Sequence, residues 1–416
     1  MLKIENSIVQ ILVQKTEIDL NHPLNIFKNI QSAGSGFLIS NDEILTCFHV
    51  VENSLNIKIK LNDIEKSATI KYVFPDDDLA VLTFINDFNN YNVLNYKLLA
   101  KKDNIEVTTV GFPYSSKSII ITKGTISGYQ QSLIQTDSAL NSGNSGGPIL
   151  AGDKYIGINQ SKMVGDASNI GFAVPIFRFL IYWKLNNDKL KKINMKPRLL
   201  FKYQQIKQKD HFKIDGVIIT KMHELSPLKE AGIEIGDIIT EVNGSVINND
   251  GYLKFIFFPE KIELSDIYLW FVPGDKISVK YYSTKNKNFN QTNITFKNID
   301  TNLVHFYHGL TEPYFYENNG LIISIFTYYH FENFKELDIN VSQRIKIYER
   351  IGDFKNLFTI YLSDIDYKKL KFTDYPVGDV ILEINNVKIT DLTVFKQVIK
   401  NPIKKFKTIN NEVYFV

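Results

Sequence analysis

The stretch Leu140–Leu150, LNSGNSGGPIL, gathers glycine, asparagine and serine around Ser145 in a chain otherwise rich in apolar residues. Glycine and asparagine accept a positive φ angle, so the stretch predicts a tight turn at the least. A serine that attacks a carbonyl also needs backbone N–H groups directed at the oxyanion, and glycines let the main chain approach that closely. The rest of the chain has to decide between a structural turn and a nucleophile turn.

Composition restricts the class of protein before any motif is considered. The chain has 416 residues, 44% hydrophobic and 22% charged, as in a soluble globular protein of several domains. Its net charge of +3 gives no general reason to expect nucleic acid or membrane partners. Cys47 is the single cysteine, which excludes an intramolecular disulfide. With neither a signal peptide nor an apolar run of about 20 residues, we expect a soluble intracellular protein of cytoplasm, nucleus or organelle, with no membrane span.

Short apolar or alternating runs fill the chain from Ile8 to about Val174 and are separated by turn residues. Many short strands with frequent turns are typical of an all-β sandwich or barrel. A run with helical spacing, PIFRFLIYWKLNNDKLKK, follows them, and Pro197 ends any helix beyond it. We therefore expect a domain boundary near Pro197.

An internal repeat lies beyond that boundary. GDIITEVNG, at Gly236–Gly244, recurs as GDVILEINN at Gly378–Asn386, and a short apolar strand follows each copy. A Gly-Asp turn, a strand and an Asn-containing hairpin turn form one supersecondary unit, so the repeat predicts two copies of one small domain. The expected domains are therefore 1–196, 197–299 and 300–416.

A catalytic serine requires a base, and His22 and His49 are the histidines that precede Ser145 in the β-rich region. His22 belongs to a polar loop, whereas His49 ends the apolar run EILTCFHVV. A histidine at a strand end can equally be structural, so His49 needs an acid partner before it is a candidate base.

The candidate acids are the consecutive residues Asp76, Asp77 and Asp78. Asp78 directly precedes the apolar strand LAVLTF, where a buried carboxylate needs a partner, whereas we expect Asp76 and Asp77 to face solvent. The order His49, Asp78, Ser145 is the one used by the chymotrypsin fold.

Seven motifs match, in sequence and order, those of one protease family: GSGFLIS, ILTCFHVV, DDLAVL, VGFP, KGTISG, QTDSALNSGNSGGPIL and NIGFAVP. The chain therefore resembles the Deg/HtrA serine proteases, and the NNDG that follows the first copy of the repeat is similar to the plant-type members. The resemblance implies a mainly β fold, with a chymotrypsin-like double β-barrel protease domain followed by two small α+β PDZ-like domains. Cys47 and Phe48 replace the family's usual small residues, which affects packing beside His49.

The resemblance also implies an activity, that of an ATP-independent serine endopeptidase acting on unfolded or damaged proteins. In it His49 is the base, Asp78 orients the imidazole and Ser145 is the nucleophile, while the amides of Gly143, Asn144 and Ser145 receive the oxyanion. Acyl transfer of this kind requires no metal, nucleotide or organic cofactor. The family also forms homo-oligomers, so a trimer or hexamer is expected.

The resemblance places the substrate pocket on the segment before the nucleophile and on a later strand. Its candidate residues are Ser138, Ala139, Leu140, Asn169, Ile170, Gly171, Phe172 and Ala173. None of them is charged, which predicts cleavage after small or medium apolar residues. The alternative is that NIGFAVP is simply a core strand.

In the first PDZ-like domain, Leu199, Leu200 and Phe201 correspond to the family's carboxylate-binding loop. PDZ domains bind an extended chain end as an added strand, and this loop usually contains a glycine. PRLLFKYQQ has none. We therefore expect an internal segment or another subunit to bind there rather than a free C-terminus.

Two other functions compete with the protease. One is a proteolytically silent, chaperone-like or peptide-binding scaffold, against which the presence of His49, Asp78 and Ser145 counts. The other is a phosphate cradle at GNSGGP, which lacks the Lys-Ser/Thr that ends a P-loop.

Overall fold

The computed structural model describes most of the chain in several stretches. They are 4–16, 19–25, 30–85, 88, 91–99, 105–113, 116, 118–160, 170–183, 190–206, 214–256, 258–297, 307, 309–327, 330, 343, 358–370 and 374–416. The chain divides into two compact units, Met1–Lys15 with Gln31–Ile299 and Thr16–Ile30 with Asp300–Val416. Each unit is described by itself.

Six antiparallel strands form a closed barrel at the start of the first unit. They are β1 (Ile8–Lys15), β2 (Ile30–Leu38), β3 (Glu43–Cys47), β4 (Ser54–Leu61), β5 (Ile64–Phe74) and β6 (Leu79–Phe84). Their order around the barrel is β1-β2-β3-β6-β5-β4. β3 is buried along its whole length, so both of its faces are covered. A short helix, α1 (Phe48–Val51), follows β3 directly.

A second closed barrel follows in the same unit. Its strands are β7 (Glu106–Gly111), β8 (Ile120–Gln130), β9 (Leu133–Thr136), β10 (Pro148–Ala151), β11 (Lys154–Gln160) and β12 (Gly171–Pro175). Their order is β10-β11-β12-β9-β8-β7. The helix α2 (Ile176–Trp183) begins where β12 ends. The expected β-rich first region and the helix after it are confirmed, although residues 184–189 of the helical run lie outside the described residues.

The rest of the first unit is a six-stranded sheet with a small hairpin beside it. Its elements are β13 (Phe201–Gln205), β14 (Val217–Met222), α3 (Pro227–Glu230), β15 (Ile238–Val242), β16 (Ser245–Val246), β17 (Tyr252–Lys254), β18 (Lys261–Glu263), a 3-10 helix (Leu264–Trp270), β19 (Lys276–Ser283) and β20 (Asn288–Thr295). The sheet order is β13-β14-β15-β19-β20 with β16 paired to β15, and β17 pairs with β18. β13 is therefore an edge strand.

The described residues of the second unit include a seven-stranded sheet and the helix Leu392–Val398. These are β21 (Phe315–Asn318), β22 (Leu321–Ile325), β23 (Ile360–Ile365), β24 (Val380–Ile384), β25 (Val387–Lys388), α4 (Leu392–Val398), β26 (Lys405–Thr408) and β27 (Val413–Phe415). The order is β21-β22-β23-β24-β26-β27, with β25 paired to β24. Among the described residues, the structure contains no helix with the length and apolar content needed to cross a bilayer. The expected three domain ranges stay a prediction.

The internal repeat forms the same hairpin twice, which confirms that it is a structural unit. The Gly236 amide donates to the Ile219 carbonyl at 2.8 Å, and the Gly378 amide donates to the Leu362 carbonyl at 2.7 Å. Both hairpin turns have two residues with positive φ, at 48° and 78° for Asn243-Gly244 and at 49° and 67° for Asn385-Asn386. These left-handed pairs are what a two-residue turn with the twist of its strands requires.

We expect substitutions in the two turns to change the free energy of unfolding in opposite directions. Gly244→Ala puts a Cβ atom on a residue with a φ of 78° and should lower the free energy of unfolding by about 1 kcal/mol. Asn386→Gly removes a Cβ atom from the matching position and should raise it by up to about 1 kcal/mol. Urea titrations of the full chain measure both, and two changes of the same sign would contradict the equivalence of the turns.

Candidate active site

Ser145 lies in a tight turn between the two barrels, three residues before β10 begins at Pro148. The Asn144 amide donates to the Asn141 carbonyl at 2.9 Å, and the Gly147 amide donates to the Asn144 carbonyl at 3.0 Å. Gly143 has a φ of 99° and Ser145 is only 4% exposed. The turn expected from the sequence is therefore formed, and its own hydrogen bonds use the Asn144 N–H.

Ser35, on β2 of the first barrel, holds this turn of the second barrel. Its amide donates to the Ser145 carbonyl at 2.9 Å, and its Oγ donates to the Gly143 carbonyl at 2.7 Å. The same Oγ accepts from the Phe112 amide at 2.9 Å. Sequence reasoning did not single out Ser35, although it is the first serine of the GSGFLIS motif.

Gly146 lets the two barrels approach each other closely, and Gly147 lets the turn pack against β7 of its own barrel. A Cβ atom on Gly146 would lie 2.2 Å from both the Ser35 carbonyl oxygen and Thr46 Oγ1, and one on Gly147 would lie 2.1 Å from the Val110 carbonyl oxygen. Gly146 also has a φ of 86°. These glycines therefore allow strands to pack tightly behind Ser145.

His49 and Asp78, both in the first barrel, are joined by two hydrogen bonds. His49 Nδ1 lies 2.7 Å from Asp78 Oδ2, and the His49 amide donates to Asp78 Oδ1 at 2.9 Å. Because an ionised carboxylate only accepts hydrogen bonds, Nδ1 is the ring nitrogen that carries the proton. The side chains are 39% and 17% exposed, so the imidazole reaches solvent while the carboxylate is mostly covered. Nδ1 of His22, the other histidine considered, lies 3.2 Å from Asp19 Oδ2 instead.

Gln160, at the end of β11 in the second barrel, is a further partner of the acid. Its Nε2 donates to Asp78 Oδ2 at 2.7 Å. Burial would raise the pKa of the Asp78 carboxyl, but the hydrogen bonds and charge of His49 and the bond from Gln160 outweigh it and lower the pKa. Sequence reasoning missed Gln160, whose one signal is its place at the end of a buried strand.

Two more side chains surround His49. Lys15 donates to the His49 carbonyl at 2.5 Å, and burial lowers the pKa of its ammonium against the charges of Glu52 and Asp78. Cys47 is fully buried and its Sγ donates to the Asn159 carbonyl at 3.3 Å. Ligand atoms of Cys47, His49 and Asp78 lie within 4.8 Å of one another. That spacing could suit a metal, but the hydrogen bond between His49 and Asp78 accounts for it without one.

The expectation that Asp76 and Asp77 face solvent is wrong. Asp77 is 1% exposed and the Asp76 side chain is 9% exposed. Burial is possible because Arg178 and Lys196 pair with Asp77, and Arg198 pairs with Asp76.

The expected pocket residues before the nucleophile line one side of the second barrel. Ser138 is buried, and its Oγ bonds to Thr109 at 2.8 Å and to Thr122 at 3.0 Å. Ala139 is exposed, and Leu140 packs so closely that a Cβ atom on Gly171 would lie 2.6 Å from its Cδ1.

The later strand of the expected pocket is β12. Gly171, Phe172 and Ala173 are buried in it, so the alternative of a core strand also fits these residues. Ile170 is 42% exposed at its start, and Asn169 lies outside the described residues.

The residues expected to bind peptide in the first PDZ-like domain lead into the edge strand β13. Leu199 belongs to the core of the sheet, and Phe201 is half-buried at the first position of β13. Leu200 has a φ of 50°, and its carbonyl accepts from the His223 amide at 3.0 Å. Leu200 therefore adopts a left-handed conformation that favours glycine, although no glycine is present. Their role in binding stays a prediction.

The close approach at Gly146 predicts a large effect of one methyl group. Gly146→Ala should lower the free energy of unfolding by about 3 kcal/mol or more, because of the clash with Ser35 and Thr46 and the positive φ. Gly128→Ala is the matched control, since a Cβ atom there meets nothing within 4 Å. Thermal and urea unfolding measure both variants, and equal effects would contradict the proposed contact.

The pKa of Asp78 predicts a pH dependence of stability. Folding lowers the pKa of Asp78, so its ionised carboxylate stabilises the folded protein at any pH above the pKa in the unfolded chain, which is about 4. This stabilisation is lost as the pH falls through the lower pKa of the folded protein. Wild type should therefore lose more unfolding free energy than Asp78→Asn between about pH 5 and pH 3. Urea titrations across this range test the difference, and parallel pH curves would contradict it.

Comparison with known proteins agrees with this geometry. Residues 34–158 match the trypsin-like peptidase domain family. The chain is 29% identical to the putative protease Do-like 3, mitochondrial, of Arabidopsis thaliana over 60% of this chain and 48% of that protein. It is 30% identical to a probable periplasmic serine endoprotease DegP-like of Rickettsia prowazekii, over 57% and 51%. The chain thus spans about half the length of these relatives.

A solved structure supports the fold independently of these sequences. The HtrA-type protease AlgW with decapeptide superposes with a TM-score of 0.53 at 21% identity, covering 70% of this chain and 95% of that one. At this identity the likeness concerns the fold alone, and it confirms the expected mainly β fold with its double barrel. Taken with this fold, the peptidase match and the Do-like and DegP-like relatives support the resemblance of the chain to the Deg/HtrA serine proteases.

Proposed function

We propose that the chain is a serine-type endopeptidase that hydrolyses peptide bonds by acyl transfer. The observation that carries the proposal is the 2.7 Å hydrogen bond between His49 Nδ1 and Asp78 Oδ2. It lies in the barrel whose Ser35 also holds the turn of Ser145. Similarity to the trypsin-like peptidase domain and to Do-like and DegP-like proteases supports the same reaction.

In the proposed mechanism His49 accepts the proton of the Ser145 hydroxyl as that oxygen attacks the peptide carbonyl. Since Nδ1 donates to Asp78, Nε2 is the nitrogen with a lone pair available for that proton. Asp78 keeps the ring in this tautomer and stabilises the imidazolium. The same proton is then passed to the leaving amine, and water cleaves the acyl-enzyme with His49 again as base. The reaction needs no cofactor.

The oxyanion would be received by backbone amides of the Ser145 turn. The Asn144 N–H donates to Asn141 in this structure, so its participation would require that bond to break. The proposal assigns the same role to the Gly143 and Ser145 amides. A well-placed donor of this kind contributes about 3–4 kcal/mol to transition-state stabilisation.

We propose cleavage after small or medium apolar residues. Ala139 and Leu140 would form one wall of the pocket, with Ile170 and the start of β12 on the other. The close packing of Leu140 on Gly171 supports a shallow pocket, since it fills space that a long side chain would need. No residue of either wall offers a charge for Lys or Arg.

The wider biology belongs to the same proposal. The substrates would be unfolded or damaged proteins, with the PDZ-like domains serving substrate docking or oligomer regulation in a homo-oligomer. An intracellular, organellar location agrees with relatives whose names place them in mitochondria, but not with the periplasmic ones. Light scattering of the purified chain would measure the oligomer.

The proposed activity predicts that cleavage depends on the hydroxyl of Ser145. Wild type should degrade unfolded casein and react covalently with a fluorophosphonate, and Ser145→Ala should lose both by at least about 1000-fold. Ser142→Ala, an exposed serine of the same turn, is the matched control and should keep both. Mass spectrometry of the casein fragments tests the apolar cleavage sites.

A different result would favour the scaffold. If wild type neither cleaves casein nor reacts, with or without an added activating peptide, yet suppresses aggregation of unfolded protein, the endopeptidase is wrong. Cleavage that persists in Ser145→Ala would also contradict the assignment of the nucleophile.

A further inference from the structure

The residue that carries the catalytic carboxylate of the proposed enzyme has an unusual backbone. A 3-10 turn, Pro75–Asp77, is followed by Asp78 with a φ of 52° and a ψ of 42°, in the left-handed region. This conformation costs a residue other than glycine about 1–2 kcal/mol, so its surroundings have to maintain it. The Asp78 amide donates to the Pro75 carbonyl at 3.0 Å, which makes its direction depend on the preceding turn.

Asp77 fixes that turn from inside the protein. Its Oδ1 accepts from Arg178 Nε at 2.6 Å, and its Oδ2 lies 3.3 Å from Lys196 Nζ. The side chains of Arg178 and Lys196 are 5% and 0% exposed. Arg178 also donates to the Asp76 carbonyl at 3.3 Å, so it contacts both a side chain and the backbone of the turn.

Asp76 connects the same turn to the segment after α2. The Lys196 amide donates to Asp76 Oδ2 at 2.7 Å, and Arg198 Nη2 donates to Asp76 Oδ1. Arg198 also lies over the ring of Tyr268, 4.7 Å from its centroid, on the 3-10 helix of the next sheet. The turn is therefore held by residues that follow both barrels in the chain.

Stability alone gives a weak reason for so many buried charges. Desolvation offsets most of the attraction within a buried ion pair, and apolar side chains of similar volume are often as stabilising. The desolvation is visible at Lys196, where burial, opposed by Asp77, lowers the pKa to about 8. A charge-assisted hydrogen bond fixes the orientation of both partners, whereas the contact between apolar side chains does not.

We propose that Asp77 is a positioning residue for the reaction, and that its bonds to Arg178 and Lys196 hold the left-handed turn that directs Asp78 at His49. The inference rests on the proposed function, since it assigns Asp77 a part in orienting the catalytic acid. Asp77 itself touches neither substrate nor reacting atoms.

The test is Asp77→Asn in the full chain, which keeps the shape of the side chain and removes its charge. We expect kcat for casein peptides to fall roughly 10- to 100-fold with little change in KM, because the acid is misplaced rather than lost. The pH profile of kcat/KM should also differ from that of wild type, which a purely structural role of Asp77 would not produce. Asp63→Asn, in an exposed pair with Lys60, is the matched control and should change neither.

Two further variants keep the test decisive if Asp77→Asn unfolds. Arg178→Lys keeps the charge but loses the Arg178 Nε bond and the fork geometry, and should show a smaller loss of kcat. Asp77→Asn with Arg178→Met and Lys196→Met leaves no unpaired charge, and should fold but keep the full loss. If any of these variants has the kcat and pH profile of wild type, whatever its melting temperature, the cluster does not position Asp78 and the inference is wrong.

A proton spectrum separates this inference from the proposed activity. The His49 Nδ1 proton, bonded to Asp78 at 2.7 Å, should give a strongly downfield resonance in wild type whether or not the protein is a protease. Loss or a large upfield shift of that resonance in Asp77→Asn supports the positioning role even if wild type cleaves nothing. A resonance that is the same in both proteins, or missing from both, overturns it.

Discussion

At the turn that carries Ser145 the two barrels approach each other at Gly146, a residue without a side chain. Gly146 lies against the Ser35 carbonyl and Thr46 Oγ1, and its amide donates to the Asn159 carbonyl at 2.8 Å. β2, β3 and β11 therefore converge on one residue that has no Cβ atom. Since Thr46 and Cys47 lead directly to His49, the same contact fixes the start of the helix that carries the imidazole. Backbone contacts of this kind vary less than rotamers, so they suit a site that needs precise geometry.

The charged side chain of Asp78 adds a second connection between the two barrels. It accepts bonds from the ring and amide of His49 in the first barrel and from Gln160 in the second. A buried carboxylate with fewer donors would be costly, and its pKa would rise instead of falling. The acid that holds the imidazole is therefore fully satisfied only when both barrels are in place. The same carboxylate thus serves the geometry of the site and the association of the barrels.

Local pattern in the sequence was enough to predict the strands, the repeat and the three candidate residues of the triad. Alternation and turn residues encode barrels directly, and Asp78 stands out because an apolar strand follows it. Sequence reasoning missed Ser35 and Gln160 because the residues next to a serine or glutamine do not indicate which distant group it will bond to. Asp77 was misjudged because Arg178, its partner, is 101 residues away in the sequence. Burial of a charge depends on such distant partners, which periodicity does not encode.

Three consecutive carboxylates in one turn raise a problem of repulsion that the fold solves with cations from later in the chain. Arg178, Lys196 and Arg198 all follow the second barrel, and the segment that contains two of them also pairs with the end of β5. There the Val73 amide donates to Lys192 and the Val73 carbonyl accepts from Asn194, at 2.8 and 2.9 Å. The first barrel therefore lacks the partners of its acidic turn and of the Val73 N–H and carbonyl until the chain beyond the second barrel has folded onto it. A native conformation of Asp78 is in this way a property of the whole first unit, although the residue belongs to its first barrel.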